Sequence, residues 1–152
     1  MIIRIATMRD LETIVDFQMK MALETENLLL NLNVITKGVE AAILDCKKGQ
    51  IYVAEDENNQ GATIGSLMIT LEWSDWRNGW VWWIESLYVL PEYRRKGIFK
   101  QMYEYLKSLA MANDNIKGIR LYVDKRNTRA QKAYQAIGMN GEHYTTYEWL
   151  KE

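Results

Sequence analysis

Three cations followed by a glycine are the residues in this sequence best suited to bind an anion. Residues 94–97 read Arg-Arg-Lys-Gly and lie between a hydrophobic run that ends at Pro91 and a helical pattern of apolar residues that begins at Ile98. The first turn of a helix has backbone N–H groups without intrahelical acceptors, and the helix dipole favours an anion there. Because glycine also lets a ligand approach the backbone, the pattern predicts a phosphate or pyrophosphate site. A basic turn that only caps a helix would have the same residues.

The composition limits the kind of protein this can be. The chain has 152 residues, of which 48% are hydrophobic and 26% charged, and this predicts one globular domain over residues 1–152. A formal net charge of −1 argues against general binding of nucleic acid or of a membrane surface. No apolar run is long enough to span a membrane, no signal peptide is recognisable, and Cys46 is the only cysteine. We therefore expect a cytoplasmic protein without disulfides and without a metal site.

The hydrophobic pattern predicts a mixed α/β fold with the element order β-α-α-β-β-β-α-β-α-β. Strands are expected at residues 2–5, 51–55, 63–74, 80–90, 119–123 and 144–150. Helices are expected after Thr7, over residues 36–46, over residues 98–112 and after Asn127, with a loop over residues 24–34. The strand at 80–90, the helix at 98–112 and the strand at 119–123 form one β-α-β crossover, so these two strands should be parallel.

Two motifs in the chain resemble those of the GNAT superfamily of N-acetyltransferases. The turn at residues 94–97 matches the R/Q-x-x-G start of the family's acyl-CoA-binding motif. Downstream, Asn127, Ala130, Tyr134 and Gly138 have the spacing of the family's second motif. The order of the elements also fits, so the resemblance covers essentially the whole chain.

The resemblance implies a GNAT-like acyl-CoA N-acyltransferase fold with acetyl-CoA as the cosubstrate. In this fold the strand before the basic turn and the next parallel strand splay apart at their carboxyl ends, and the pantetheine arm lies in the gap. The implied cosubstrate-binding residues are Leu87, Tyr88, Val89, Arg94, Arg95, Lys96, Gly97, Ile98, Phe99, Lys100, Asn127 and Ala130. Phe99 stands where the family usually has glycine or alanine, so its side chain must point away from the ligand. Asn127 would bind pantetheine, cap a helix, or do both.

Glu85 and Tyr134 are the candidate catalytic residues. Attack of an amine on the thioester needs a base, because alkyl amines have pKa values near ~10. Glu85 is a carboxylate in a run of Trp and Ile, where burial would raise its pKa to a useful range. A buried Glu that pairs with an Arg for structural reasons is the alternative. Tyr134 stands where the family has a tyrosine near the thioester sulfur, so it would protonate or hydrogen-bond the leaving thiolate, unless it is a core tyrosine at helical spacing.

A tryptophan-rich hairpin precedes Glu85 in the sequence and makes the chain loosely similar to the polyamine and diamine acetyltransferases of the same superfamily. Its aromatic rings would hold a cationic amine by cation–π contact, or they would be sheet core. The expected function is direct transfer of an acetyl group to a primary amine of a small molecule or peptide. The alternatives are a non-catalytic acyl-CoA-binding sensor and a protein-interaction module, and exposed tryptophans would favour the module. A homodimer that forms through the hairpin or the last strand is a further expectation.

Overall fold

A five-stranded sheet in the order β1-β2-β3-β4-β5 is the main feature of residues 1–120. The computed structural model describes residues 1–151. The strands are Ile2–Ile5 (β1), Gln50–Asp56 (β2), Ala62–Ser74 (β3), Gly79–Val89 (β4) and Ile116–Arg120 (β5). Neighbouring strands from β1 to β4 are antiparallel, and β4 and β5 are parallel. The predicted mixed α/β class and the predicted parallel pair are therefore confirmed.

Helices cover both faces of this sheet. Residues 1–120 contain the α-helices Leu11–Glu26 (α1), Leu32–Leu44 (α2) and Ile98–Met111 (α3). Ile14 of α1 and Val39 of α2 pack with Ile51 of β2 into a buried core. Tyr52 points to the opposite side of β2, because successive side chains of a strand alternate between faces. There it contacts Tyr105 of α3, with the two ring centroids 6.0 Å apart. Thus α1 and α2 cover one face of the sheet and α3 covers the other.

The residues from Leu121 onward form a second compact unit. Its helix is Thr128–Ala136 (α4). Asn127 caps this helix, because its Oδ1 accepts a hydrogen bond from the Ala130 N–H at 3.0 Å. No helix in residues 1–151 is long and apolar enough to cross a membrane.

The loop between the first two helices is shorter than predicted. α1 continues to Glu26 and α2 begins at Leu32, so the loop covers residues 27–31 and not 24–34. Asn27 ends α1 in the left-handed conformation with φ 52°, and the Asn31 Oδ1 accepts a hydrogen bond from the third residue of α2 at 3.1 Å. The asparagines that suggested a long loop therefore cap the two helices. The loop that separates the helices is shorter than predicted for this reason.

The predicted strand at residues 144–150 is wrong, because the structure has no strand there. Tyr144, Tyr147 and Trp149 are exposed in this segment. Their aromatic side chains favour extended backbone locally, but a strand also needs a neighbour that pairs with its N–H and C=O groups. The strand predicted at 119–123 exists but lies earlier, at Ile116–Arg120.

Candidate active site

A β-bulge follows Glu85 in β4. Met68 pairs with Glu85 and Ser66 pairs with Tyr88, so two residues of β4 lie opposite one residue of β3. Ser86, inside the bulge, has φ 52°, in the left-handed region that residues other than glycine rarely adopt. Bulges bend a strand and change the direction of the neighbouring side chains, and they are common next to active sites. The candidate base therefore adjoins the most irregular part of its strand.

β4 extends beyond its parallel neighbour. The β4–β5 register ends at the pair Trp83–Arg120, whereas β4 continues to Val89. Within residues 1–120, the edge of β4 after Trp83 therefore has no strand partner on the β5 side. The backbone of Leu87 and Tyr88 belongs to this part of the strand. Backbone groups at such an edge can hydrogen-bond to an extended ligand as they would to another strand.

Glu85 is half-buried on the sheet face that α1 and α2 cover. Its register partner Met68 packs against the core formed by those helices, and side chains directly opposite each other lie on the same face. The Thr70 hydroxyl donates a long hydrogen bond of 3.4 Å to the Glu85 Oε1. A half-buried carboxylate in this position is able to accept a proton from an amine bound on the same face.

A second carboxylate on this face, Glu72, is paired within the sheet. It accepts hydrogen bonds from the Trp83 indole N–H and from the Arg120 Nη1, the latter 3.2 Å from the Glu72 Oε1. The Arg120 guanidinium also lies 5.9 Å from the centroid of the Trp83 ring. The negative charge of Glu72 and the face of Trp83 thus both have a cationic partner inside the protein.

The basic turn before α3 has an open backbone. Gly97 has φ 76° and Arg95 has φ 64°, both in the left-handed region. A side chain at position 97 would meet no atom within 4 Å, so the space in front of this glycine is open. The N–H groups of Lys96, Gly97 and Ile98 donate no hydrogen bond of ordinary geometry within residues 1–151. Unpaired N–H groups at the start of a helix form an anion-binding concavity.

Two of the cations in this turn interact with other residues of the protein. The Arg94 Nε donates to the Val89 carbonyl oxygen at 2.8 Å, and its Nη2 donates to the Glu24 carboxylate at 2.8 Å. Arg94 therefore joins the end of β4 to the end of α1. The Lys96 ammonium lies 5.2 Å from the centroid of the Tyr93 ring. The Arg94 contact holds the turn against the strand that precedes it, and the Lys96 contact is local to the turn.

Arg95, the third cation of the turn, and Lys100 in the first turn of α3 are exposed and make no ion pair within residues 1–151. Their charges are therefore available to a bound anion at the start of α3. The Phe99 ring packs near Tyr103 one turn further along the helix, with centroids 6.2 Å apart. Its side chain is thus directed along the helix surface, as the predicted anion site requires.

The residues of the second motif lie in the unit that begins at Leu121. Asn127 uses its side-chain oxygen as the cap of α4, which is one of its two expected roles. Tyr134 is half-buried in the middle of α4, and burial raises the pKa of its hydroxyl. The hydroxyl is therefore protonated at neutral pH and able to donate a hydrogen bond or a proton. No cluster of His, Cys, Asp and Glu in residues 1–151 could hold a metal ion.

Two polar residues next to the bulge were missed by reasoning from the sequence. Ser66 of β3 and Gln18 of α1 line a cavity between the sheet and the first two helices, together with Ser86. A signal for Gln18 was present, because this residue has the helical spacing of the inward-facing apolar residues of α1. A polar residue at a core position needs a partner or a ligand. Ser66 had no comparable signal, because its environment depends on the register of three strands.

The bulged strand, its partly unpaired parallel edge and the open basic turn are the arrangement that the two sequence motifs imply for an acyl-CoA-dependent N-acyltransferase. The sequence model of the acetyltransferase (GNAT) family matches residues 21–139. This chain belongs to the GNAT family of acetyltransferases. Members of this family use acetyl-CoA as the acetyl donor.

Solved structures of acetyltransferases have the same fold. A possible acetyltransferase from Clostridium difficile 630 is 43% identical to this chain with a TM-score of 0.90, and the match covers 99% of this chain and 97% of that one. The aminoglycoside N-acetyltransferase AAC(6')-Iy in complex with CoA is 18% identical, with a TM-score of 0.78 over 99% of this chain and 94% of that one. The second likeness shows the fold alone. A search of curated proteins found no significant match.

Proposed function

We propose that this protein transfers the acetyl group of acetyl-CoA directly to a primary amine of a small molecule or peptide. The observation that carries the proposal is the arrangement of β4. Glu85 lies at the start of its unpaired edge, and the open turn at Gly97 follows its end. A base and an anion site thus lie at the two ends of one stretch of β4 whose β5-side edge has no strand partner within residues 1–120. This is the arrangement needed to hold a thioester beside an amine while its phosphates are bound elsewhere.

The residues around the basic turn fit the cosubstrate. In our proposal the N–H groups of residues 95–99 hold the pyrophosphate, and Arg95 and Lys100 add attraction because they have no acidic partner in the described chain. The backbone of residues 87–89 pairs with the pantetheine arm as a strand would. Asn127 and Ala130 complete the binding set. Arg94 contributes by fixing the turn to β4 and α1, in agreement with its two hydrogen bonds.

In the proposed reaction, Glu85 and Tyr134 each take part in one proton transfer. The amine nitrogen bonds to the thioester carbonyl carbon, the carbon–sulfur bond breaks, and the amine proton passes to Glu85, directly or through water. Tyr134 gives its proton to the departing thiolate, or stabilises it by a hydrogen bond. The raised pKa of the Tyr134 hydroxyl supports this role, because a protonated phenol is the form that donates.

We also propose that residues 1–152 act as one catalytic domain. The family model matches residues on both sides of Arg120, where the two compact units meet in the sequence, and this supports the proposal. From the composition and the single cysteine we infer a cytoplasmic location.

Gly97→Glu is expected to weaken acetyl-CoA binding about tenfold or more. A carboxylate in the open space at position 97 would lie close to the bound phosphates, and like charges ~4 Å apart repel by ~4 kcal/mol at an effective dielectric of 20, before salt screening. Calorimetric titration with acetyl-CoA measures the change.

Gly97→Ala is the matched control for this variant. It has the same unfavourable left-handed φ, a strain of ~1–2 kcal/mol, but adds no charge. If both variants lose affinity equally, backbone conformation explains the effect and not charge. If Gly97→Glu binds acetyl-CoA as tightly as the unchanged protein, the phosphates bind elsewhere. A non-catalytic sensor would bind acetyl-CoA at the same turn and would not consume it in the presence of amines.

The tryptophan-rich hairpin exposes apolar surface. Trp76 at its tip is 91% exposed, and the rings of Trp73 and Trp80 contact each other with centroids 5.0 Å apart. Exposed aromatic patches mark interaction surfaces, so we propose that two copies of the chain associate here. The expected mass in solution is twice 17.9 kDa, and Trp76→Ser should shift it towards one chain. A monomeric mass for the unchanged protein would contradict this.

A further inference from the structure

A cavity of about 110 Å³ lies between α1, α2 and the bulged part of β3 and β4. Gln18 of α1, Gly38 of α2 and Ser66 of β3 are among its lining residues, and its remaining walls are mainly aliphatic. The cavity is partly open to solvent. An apolar cavity of ~150 Å³ accommodates benzene, so this one has room for roughly four or five heavy atoms.

One buried polar side chain of this cavity lacks a hydrogen-bond partner. Ser66 is 1% exposed, and its Oγ makes no hydrogen bond within residues 1–151. Gln18, which is 8% exposed, places a second polar side chain at the same cavity. Most buried polar atoms in native proteins are paired, and an unpaired one is costly. The Ser66 hydroxyl therefore marks the place where a ligand or water supplies the missing hydrogen bond.

The lining of the cavity contains no charged side chain. An ammonium or a carboxylate that entered it would lose its hydration without meeting an opposite charge, which is strongly unfavourable. A hydroxyl or an amide, by contrast, would meet both a hydroxyl and a carboxamide. The cavity therefore selects an uncharged aliphatic group with one polar function.

The cavity lies directly beside Glu85. Ser86, the residue that follows Glu85, lines it, and so does Met68, the register partner of Glu85 on β3. The turn that we assign to the phosphates begins beyond the far end of β4 and leads into α3, which covers the opposite face of the sheet. A molecule whose amine is at Glu85 can thus extend into the cavity without crossing the cosubstrate.

We propose that this cavity binds the end of the acceptor remote from the amine, and that this end is a compact, uncharged aliphatic group carrying one hydroxyl or amide. The proposal rests on the acetyl transfer proposed above, since it names the class of amine that reaction accepts. A diamine is then a poor acceptor, because its second ammonium would enter an uncharged cavity.

Calorimetric binding of three amines with the same five-carbon chain tests this proposal. Pentanolamine ends in a hydroxyl, pentylamine in a methyl group and cadaverine in a second ammonium. We expect pentanolamine to bind most tightly and cadaverine at least about tenfold more weakly, because of the cost of burying its charge. Failure of pentanolamine to bind at millimolar concentration, or equal binding of cadaverine, would overturn the proposal and leave the cavity to water.

Gly38→Leu is expected to narrow the cavity that Gly38 lines without disturbing the fold. A β-carbon at position 38 would meet no atom within 4 Å, and leucine is a better helix former than glycine inside α2. We expect this variant to keep its melting temperature and to bind pentanolamine at least about tenfold more weakly. Lys37→Leu, which adds the same side chain one residue away on the exposed surface, is the control and should bind normally. Equal binding by Gly38→Leu and the unchanged protein would overturn the proposal.

Ser66→Ala tests whether the Ser66 hydroxyl binds the acceptor or serves only in packing. It removes only the unpaired oxygen, so the apo protein should be as stable as before or more stable. Loss of one hydrogen bond should weaken pentanolamine about two- to tenfold and leave pentylamine unchanged. A purely structural serine would affect both amines alike, which would overturn the proposal. Because these readouts are binding constants, acetyl transfer is judged separately: binding without product would refute the proposed function and not the cavity assignment.

Discussion

Glu85→Gln is expected to lower kcat/KM by about 100- to 10,000-fold, the usual contribution of a general base. Glutamine keeps the shape of the side chain and is still able to accept the hydrogen bond from the Thr70 hydroxyl, but it cannot take a proton from the amine. The free amine would then have to lose its proton to water. Steady-state rates with saturating acetyl-CoA and a varied amine give the ratio.

The pH profile gives the more specific result for the same variant. Protonation of the base at low pH abolishes its function, so kcat/KM of the unchanged enzyme falls on the acidic side. Glu85→Gln should lose the part of this acidic fall that comes from the base. The part that reflects protonation of the amine should remain.

Glu72→Gln is the matched control for Glu85→Gln. It removes the same charge from the neighbouring strand, where Glu72 is paired with Arg120 and Trp83 and has no proposed role in proton transfer. Its profile should therefore keep the acidic limb. If Glu85→Gln leaves the profile unchanged, Glu85 is structural and the proton goes to water or to another group.

Tyr134→Phe is expected to lower kcat roughly ten- to 100-fold and to change acetyl-CoA affinity little. A general acid usually contributes 100-fold or more, but a thiol with a pKa near ~8.5 leaves readily without help, so the effect should be smaller than that at Glu85. Because burial raises the pKa of the Tyr134 hydroxyl, the unchanged enzyme should retain the donor form well above neutral pH. Single-turnover rates and acetyl-CoA titrations of the same preparation separate the chemical step from binding.

Tyr147→Phe is the control for Tyr134→Phe, because it removes a hydroxyl from the same unit at a position that is exposed. It should leave both kcat and affinity unchanged. If Tyr134→Phe weakens acetyl-CoA binding as much as it slows turnover, the tyrosine positions the cosubstrate and does not act as an acid.

The parts of the fold that depend on local pattern were predictable. The hydrophobic run of β4, Pro91 and the apolar spacing of α3 are contiguous in the chain, and they predicted the strand, the turn and the helix at nearly the observed bounds. The position of Gly97 at the first turn of the helix followed from the same spacing, and its positive φ and open surroundings agree with it.

The parts that depend on distant residues were not predictable. The hydrogen bond between Arg94 and Glu24 joins residues 70 positions apart, and spacing alone carries no information on such a pair. The bulge at Ser86 is a property of the β3–β4 register. The segment at 144–150 has the residues of a strand and no strand, because pairing is a tertiary property.

The most direct test of the proposed reaction is mass analysis of the products formed from acetyl-CoA with a deuterated acetyl group and a panel of primary amines. We predict that the label appears in an amide of the amine, with one CoA thiol released for each amide formed, and that Glu85→Gln suppresses both signals together. Consumption of acetyl-CoA without any labelled amide, or no consumption with any amine although acetyl-CoA binds at the basic turn, would contradict it.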